Sequence, residues 1–167
     1  MKKIILLTGI LLVTIFSASA QRGKFGGTHK SLLNKTFTSR DSIPGLKGWK
    51  MMSGALLNKI NDPEFIYADV YRKGTTWLVI CSIQEDTAVN SYLIYDVLEV
   101  QAVPKGWAIR IADCEQYNQP DPYIIVWGKE TTAEYLRTIK KAWRFNPDKR
   151  IIETLPIKNI RCVNATC

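Results

Sequence analysis

Carboxylates are the side chains of this sequence whose positions best suit acid–base chemistry. Asp113, Glu115 and Asp121 lie close together where apolar segments end, and Glu85 and Asp86 follow another such segment. Two carboxylates facing one cleft can hydrolyse a glycosidic bond. Turns are also where solvated acids ordinarily lie, and the sequence does not give the separation of the carboxyl groups. A carboxylate-dependent glycan hydrolase of the cell envelope is therefore one alternative, with the balance leaning against an enzyme.

Aromatic rings offer a second kind of site. Six of them lie in or beside segments of strand-like composition: Trp77, Tyr92, Tyr95, Trp107, Tyr123 and Trp127. Flat amphipathic rings can line a surface for a sugar, a peptide or another small ligand. The alternative is core packing, which the alternation of Trp107, Ile109 and Ile111 along one strand face favours.

A row of cations is the best-defined candidate interaction surface. Its members recur at helical spacing: Arg137, Lys140, Lys141 and Arg144. A basic helix face of this kind could bind an acidic protein or an anionic envelope polymer through charge complementarity. A solvated helix face is the simpler alternative.

The helix that would carry this row is predicted from about Thr132 to Phe145. Thr131 followed by Glu134 is a capping-box pattern, and Pro147 ends the segment. The opposite face would pack through apolar residues at helical spacing: Leu136, Ile139, Ala142 and Trp143.

A short helix is also predicted near the N-terminus, between Trp49 and Ile60. Four apolar residues follow helical spacing there: Met52, Leu56, Leu57 and Ile60. Gly54 falls in the middle of this segment, and Asn61-Asp62-Pro63 ends it.

The segments between these helices are predicted to be strands. Phe65 to Tyr71 and Thr76 to Ile83 form one hairpin, and Ser91 to Val103 with Trp107 to Asp113 form a second across Pro104-Lys105-Gly106. Further strands are predicted at 123–127 and, around Pro156, at 151–162. This order predicts an α+β fold: an antiparallel sheet of about five to seven strands packed against one main helix in the C-terminal half, with a short N-terminal helix.

The first 20 residues have the pattern of a cleavable signal peptide. A cationic Met1-Lys2-Lys3 precedes an apolar run from Ile4 to Phe16, and Ala18-Ser19-Ala20 precedes Gln21. The run is shorter than the roughly 20 residues of a membrane-spanning helix. The leader resembles those of bacterial proteins, which implies a soluble periplasmic or extracellular protein. Residues 1–20 are thus predicted as leader, 21–48 as a basic flexible lead-in and 49–167 as one domain.

Cysteine and histidine chemistry is predicted to be structural at most. The four thiols, Cys81, Cys114, Cys162 and Cys167, lack Cys-x-x-Cys spacing, and an even number in an exported chain favours two disulfides. Of the three possible pairings, we favour those with one bridge between the C-terminal tail and the sheet. His29 lies in a Gly-rich segment that cannot hold a base rigidly. No metal and no cofactor are predicted.

The charge of the chain is basic and uneven. Removing the leader leaves 21 Lys and Arg against 15 Asp and Glu, a net charge of +6. Basic segments at 21–50 and 129–167 flank an acidic middle, which could steer the protein to anionic surfaces. Export and the lack of a phosphate-binding loop argue against nucleic acid. The sequence predicts an exported, soluble, non-catalytic binding or inhibitor-like domain of unknown ligand; the alternatives are the hydrolase and a structural envelope component.

Overall fold

The computed structural model describes residues 30–58 and 64–164, so the predicted leader, His29 and Cys167 lie outside the described ranges. Within these ranges the chain forms antiparallel β-sheet and two 3-10 turns of three residues each, Lys30–Leu32 and Arg40–Ser42. The strands are β1 (Thr36–Phe37), β2 (Lys50–Leu56), β3 (Ile66–Lys73), β4 (Thr76–Asp86), β5 (Ser91–Val100), β6 (Trp107–Ile111), β7 (Cys114–Gln116), β8 (Gln119–Pro120), β9 (Ile124–Lys129), β10 (Ile139–Asn146), β11 (Ile151–Leu155) and β12 (Ile160–Cys162). No helix in the described ranges is long and apolar enough to cross a membrane.

The strands form three sheets. The first has five strands in the order β1-β5-β4-β3-β2, the second has four in the order β11-β10-β9-β6, and the third has three in the order β12-β7-β8. Every strand pair is antiparallel. The predicted α+β class is therefore wrong, because the sheets pack on one another and on irregular chain where a main helix was expected.

The predicted C-terminal-half helix is in fact irregular chain followed by β10. The pairing of β10 with β9 is interrupted by a β-bulge between Ile139 and Lys141. A bulge adds one residue to one strand, so Ile139 and Ala142 reach the same apolar cluster three positions apart, which imitates a helical period. The expected cap is a local turn in which the Thr131 hydroxyl accepts a hydrogen bond from the backbone N–H of Ala133 (3.2 Å).

The predicted N-terminal helix is also wrong where the structure describes it, because residues 50–56 form β2. This strand pairs with β3 alone and lies at the sheet edge. Met51, Met52 and Leu56 are exposed, so the apolar spacing in this segment does not mark a buried helix face. Residues 59–63 lie outside the described ranges.

One of the two predicted hairpins is confirmed. β3 and β4 pair from Ile66 with Ile83 to Lys73 with Thr76, and Gly74 takes a positive φ of 60° in the tight turn between them. The second hairpin is wrong: β5 pairs with β4 and β1, whereas β6 pairs with β9. The chain turns at Gly106 as expected, but it crosses there from one sheet to the next.

The main core lies between the five-stranded and four-stranded sheets. Alternate residues of β4 supply one side of it, and residues of β6 and β9 supply the other. The fully buried members include Val70, Val79, Ile125 and Phe145. A hydrogen bond from the backbone N–H of Ile152 to Asp96 Oδ2 (2.6 Å) also joins the two sheets.

The other face of the five-stranded sheet is covered by residues 30–49. All of them but Trp49 belong to the segment predicted as a flexible lead-in, and Leu32, Phe37, Ile43 and Leu46 are buried against the sheet. Their partners on β3, β4 and β5 are Tyr71, Leu78, Ile80, Ile94 and Val97. The five-stranded sheet is therefore buried on both faces.

The three-stranded sheet covers the far side of the four-stranded one. Cys114 of β7 and Cys162 of β12 form a disulfide and pack on Ile124 and Val126. A bridge from the C-terminal region to a sheet is thereby confirmed. The prediction of two disulfides is wrong, because Cys81 is a free, buried thiol on β4; burial raises its pKa.

Because the outer face of the sheet is covered, substitution of Ile94 on that face should strongly lower stability. Ile94→Ala should lower the free energy of unfolding by about 2 to 5 kcal/mol, because Ile94 is 0% exposed beneath residues 30–49. Urea denaturation measures this, with Ile157→Ala as the matched control because Ile157 is 50% exposed. Equal, small effects of the two substitutions would show that the outer face is open to solvent.

Candidate functional site

A pocket of about 260 Å³ lies on the outer face of the five-stranded sheet, beside the middle of the covering segment. Its lining comes from the end of β1, the residues that follow β1, and the strands β3, β4 and β5: Phe37, Thr38, Ser39, Arg40, Tyr67, Asp69, Ser82 and Tyr92. We call this the Asp69 pocket. It combines aromatic rings, hydroxyls and one ion pair.

Strand register brings the sheet residues of the pocket together. Tyr67 of β3 pairs with Ser82 of β4, and Tyr92 of β5 pairs with Phe37 of β1. Directly paired residues of antiparallel strands share a face, with their Cβ atoms roughly 5 Å apart. Asp69 lies two positions along β3 from Tyr67 and therefore on that same face.

Asp69 is the buried carboxylate of the pocket. The residue is 1% exposed, and its Oδ1 accepts a hydrogen bond from Arg40 Nε (2.8 Å). The Arg40 side chain is 45% exposed, so this ion pair joins the sheet interior to the surface. Burying a carboxylate costs free energy unless it is paired, and Arg40 offsets part of that cost.

A local capping arrangement holds Arg40 in position. Ser39 precedes the Arg40–Ser42 turn, and its hydroxyl accepts a hydrogen bond from the backbone N–H of Asp41 (3.4 Å). The Ser42 hydroxyl in turn accepts from the backbone N–H of Ser39 (3.2 Å). These reciprocal hydrogen bonds are a capping box on a short turn, and they fix the backbone from which Arg40 reaches Asp69.

Gly54 makes room for the carboxylate. This residue of β2 pairs with Asp69, and a Cβ placed on it would lie 2.4 Å from Asp69 Oδ1 and 2.8 Å from the methyl group of Met51. A larger residue at position 54 would have to displace Asp69 or Met51. The sequence placed Gly54 in the middle of a predicted helix. In the structure Gly54 belongs to a strand and lies beside the ion pair.

Three aromatic rings also line the pocket. The Phe37 and Tyr92 rings are stacked with centroids 5.2 Å apart, and the Tyr67 ring meets Tyr92 edge to face at 5.3 Å. The Tyr67 hydroxyl donates a hydrogen bond to Gln84 Oε1 (3.3 Å). These contacts orient the rings before any ligand arrives.

The Ser82 hydroxyl is a polar group with no hydrogen-bond partner among the described residues. Ser82 is 1% exposed and lines the pocket. Most buried polar atoms in proteins are hydrogen-bonded, so an unpaired hydroxyl in a pocket marks an unmet interaction there.

Burial dominates the electrostatics of the site. Desolvation raises the pKa of Asp69, although the charge and hydrogen bond of Arg40 act in the opposite direction. Desolvation also raises the pKa of Tyr71, whose buried hydroxyl lies further along the same strand face. Burial therefore disfavours the charged forms of both side chains.

The four predicted cationic residues do not form one face. Arg137 is exposed before β10, and Lys140 and Lys141 are exposed at its bulge. Strand alternation places Lys141 and Arg144 on opposite faces, and Arg144 Nη2 forms an ion pair with Asp121 Oδ2 (3.1 Å). Lys140 Nζ lies 4.1 Å from the centre of the Trp127 ring. Binding of an anionic partner by these residues stays a prediction.

The predicted acids lie away from the Asp69 pocket. Asp113 is exposed, Glu115 Oε1 pairs with Arg161 Nε (2.6 Å), and Asp121 pairs with Arg144. Glu115, which is partly buried, and Asp121, which is buried, are thus each paired with an arginine. Among residues 30–58 and 64–164 no group of three or more His, Cys, Asp or Glu side chains could hold a metal ion.

Most of the aromatic residues that were candidates for a ligand surface instead pack in the core, which was the alternative interpretation of the sequence. Trp77, Tyr123 and Trp127 are buried between the sheets, and half-buried Trp107 packs edge to face on Trp127 with centroids 6.1 Å apart. Tyr92 is the member of the predicted set that lines the Asp69 pocket.

Of the residues that line the site only Tyr92 was predicted from the sequence, and the polar residues Asp69, Arg40 and Ser82 were not. Asp69 did carry a signal, because it is the one charged residue between Phe65 and Tyr71 in a strand that is otherwise apolar or aromatic. A strand that is buried on both faces leaves such an acid no solvent, so it needs a partner. Nothing in the spacing of Arg40 identified it as that partner.

Comparison of the chain with known proteins adds no relative to this description. The sequence matches no protein-family model, no curated protein and no solved structure. The functional argument therefore depends on the geometry of the Asp69 pocket.

The raised pKa of Asp69 predicts a pH-dependent effect of Asp69→Asn on stability. Between the unfolded-state pKa of an aspartate, about 3.9, and the raised folded-state pKa, the folded protein holds a proton that the unfolded chain has lost. The wild-type protein therefore loses stability as the pH rises through this range, whereas the Asn variant has no such loss.

We expect the urea midpoint of Asp69→Asn to exceed that of the wild type most at neutral pH and by less near pH 4. Asp148→Asn is the control, because Asp148 is exposed. A difference that instead grew as the pH fell would mean that Arg40 outweighs burial in setting the charge of Asp69.

Proposed function

We propose that the protein is an exported, non-catalytic binding domain that takes a small polar ligand in the Asp69 pocket. The observation that carries this proposal is the unpaired, buried hydroxyl of Ser82 beside the buried carboxylate of Asp69. The Ser82 hydroxyl lowers the stability of the unliganded protein, because desolvation costs about 1 to 3 kcal/mol for a polar group that lacks a partner. Asp69 adds a cost of burial that Arg40 offsets in part. A ligand that hydrogen-bonds Ser82 and Asp69 recovers this cost on binding.

The volume of the pocket limits the ligand to a small molecule or to one unit of a larger one. Its volume of about 260 Å³ lies just below the roughly 300 to 1,000 Å³ of sites for drug-sized ligands. The rings of Tyr67, Tyr92 and Phe37 supply apolar contact, and a few convergent polar groups supply direction. This balance is typical of small-molecule sites.

The number of carboxylates in the pocket favours binding over hydrolysis as its function. The lining of the Asp69 pocket holds a single acid, whereas the usual glycosidase mechanism uses two. That acid is also hydrogen-bonded to Arg40 rather than placed against a second carboxyl group. The glycan hydrolase and the structural envelope component therefore remain the weaker hypotheses.

Export is the second part of the proposal and depends on the leader at residues 1–20. The disulfide between Cys114 and Cys162 supports it, because structural disulfides persist in oxidising compartments. The pattern before Gln21 supports cleavage there.

The binding proposal predicts saturable chemical-shift changes at the pocket. Protein-observed NMR of residues 21–167 should be recorded with millimolar panels of neutral sugars, amino acids, organic acids and amines no larger than a monosaccharide. We expect at least one panel to shift the backbone amides of Arg40, Asp69 and Ser82, because these residues line one cavity.

Two tyrosine variants test whether such shifts come from the pocket. Tyr67→Ala should weaken the effective ligand by about fivefold to tenfold through loss of ring contact. Tyr117→Ala is the matched control, because Tyr117 is 62% exposed and lies between β7 and β8. If no panel gives saturable shifts at these amides, the pocket is not a small-ligand site and the proposal fails.

The export proposal predicts a processed N-terminus at Gln21. Expression of the full chain in a bacterial host should yield an extracytoplasmic protein whose intact mass corresponds to residues 21–167 with one disulfide. Ala18→Lys should block processing, because a large cation replaces a small residue of the cleavage site. Recovery of the wild type as a cytoplasmic protein that retains Met1 would contradict export.

A further inference from the structure

We infer that the ligand of the Asp69 pocket is a neutral polyol with adjacent hydroxyl groups, such as a single sugar ring. This inference rests on the proposed binding function and names the chemistry of its ligand. Four features of the pocket lead to it: its charge balance, the order of its donors and acceptors, its rings and its size.

The charge balance of the pocket favours a neutral ligand. The carboxylate of Asp69 and the guanidinium of Arg40 cancel each other across a 2.8 Å hydrogen bond. An anionic ligand would approach a buried carboxylate, and a cationic ligand would approach the guanidinium. Either charge would meet a like charge at close range, which weakens binding. A neutral ligand meets neither repulsion.

The hydrogen-bonding groups of the pocket match a pair of neighbouring hydroxyls. Arg40 carries five N–H donors, and its hydrogen bond to Asp69 uses Nε alone. Asp69 is an acceptor directly beside these donors. A hydroxyl both donates and accepts, so two hydroxyls on adjacent carbons can accept from Arg40 and donate to Asp69 at the same time.

Ser82 extends this pattern to a third position. Its hydroxyl can donate or accept, and it lies on the same sheet face as Asp69, next to Tyr67 in the register. An apolar ligand of the right size would leave both Ser82 and Asp69 desolvated without new partners, which is unfavourable. A polyol supplies a partner to each.

The rings provide the apolar half of a sugar site. One side of a sugar ring presents C–H groups, which carry a slight positive charge and are attracted to the negative face of an aromatic ring. Tyr67 and Tyr92 are both half-buried in the lining and are held edge to face by each other. A volume of about 260 Å³ accommodates one such ring unit rather than a long oligomer.

The experiment compares matched sugars against residues 21–167 by protein-observed NMR titration. The probes are the methyl glycosides of glucose, galactose and mannose, their 2-deoxy counterparts, glucosamine and glucuronic acid. We expect at least one neutral glycoside to bind at the amides of Arg40, Asp69 and Ser82. Its charged relatives and at least one deoxy relative should bind about tenfold more weakly, because each leaves a repulsion or an unpaired group.

Free reducing sugars separate the two sources of such a ring. Equal binding of the methyl glycoside and the free sugar indicates that a sugar unit within a glycan can be bound. Preference for the free sugar by about tenfold indicates that the pocket takes a free monosaccharide. Both results support a neutral polyol ligand.

Arg40→Lys tests the role of the guanidinium. Lysine keeps the positive charge but loses the planar fork of donors, so affinity should fall about tenfold while the fold is kept. Arg161→Lys is the matched control, because Arg161 pairs with Glu115 on the three-stranded sheet. Unchanged affinity of Arg40→Lys would overturn the assignment of the paired hydroxyls to Arg40 and Asp69.

The outcomes separate this inference from the proposed function. If the amino acids, organic acids or amines shift the pocket amides and no neutral sugar does, the protein binds a small ligand and the polyol inference is wrong. If no probe of any class shifts them, both fail.

Discussion

The burial of the five-stranded sheet on both faces is the constraint on which the rest of the structure depends. Seven consecutive residues of β4, from Trp77 to Ile83, are buried, so this strand presents apolar side chains to two cores. The four-stranded sheet closes one face, and residues 30–49 close the other. Without that cover, Leu78, Ile80 and Ile94 would face water. The covering segment is therefore part of the fold, and the Asp69 pocket forms where its second turn, Arg40–Ser42, meets the sheet.

Within the covered face, the ion pair between Asp69 and Arg40 decides the character of the site. A carboxylate that is 1% exposed disfavours its own charged form, and desolvation raises its pKa despite the guanidinium. The absence of a side chain at Gly54 gives the carboxylate its space. The buried groups that lower the stability of the protein, Asp69 and Ser82, are thus the same groups that can hydrogen-bond a ligand. Functional sites commonly carry such local costs, because a group that is fully satisfied internally has nothing to offer a ligand.

The strands were more predictable than their partners. The hairpin of β3 and β4 was evident because apolar and β-branched runs flank a short turn with Gly74. β10 was not, because the bulge between Ile139 and Lys141 shifts the alternation by one residue and so produces a three-residue spacing. The basic residues from Arg137 to Arg144 have the spacing of one helix face for the same reason. The sequence predicted that β5 pairs with β6, because a turn signal at Gly106 indicates where the chain changes direction. It does not indicate which sheet the next strand joins.

By itself, the sequence determined the leader pattern, the basic charge, the presence of several strands and the cysteines available for a bridge, because each of these depends on composition or on neighbours along the chain. The tertiary structure alone decided that Cys114 joins Cys162, that residues 30–49 cover a sheet, and that Arg40 meets Asp69. Arg40 and Asp69 are 29 positions apart. Contacts at that distance depend on strand register and sheet order, which arise from the packing of the whole chain and leave no local spacing in the sequence.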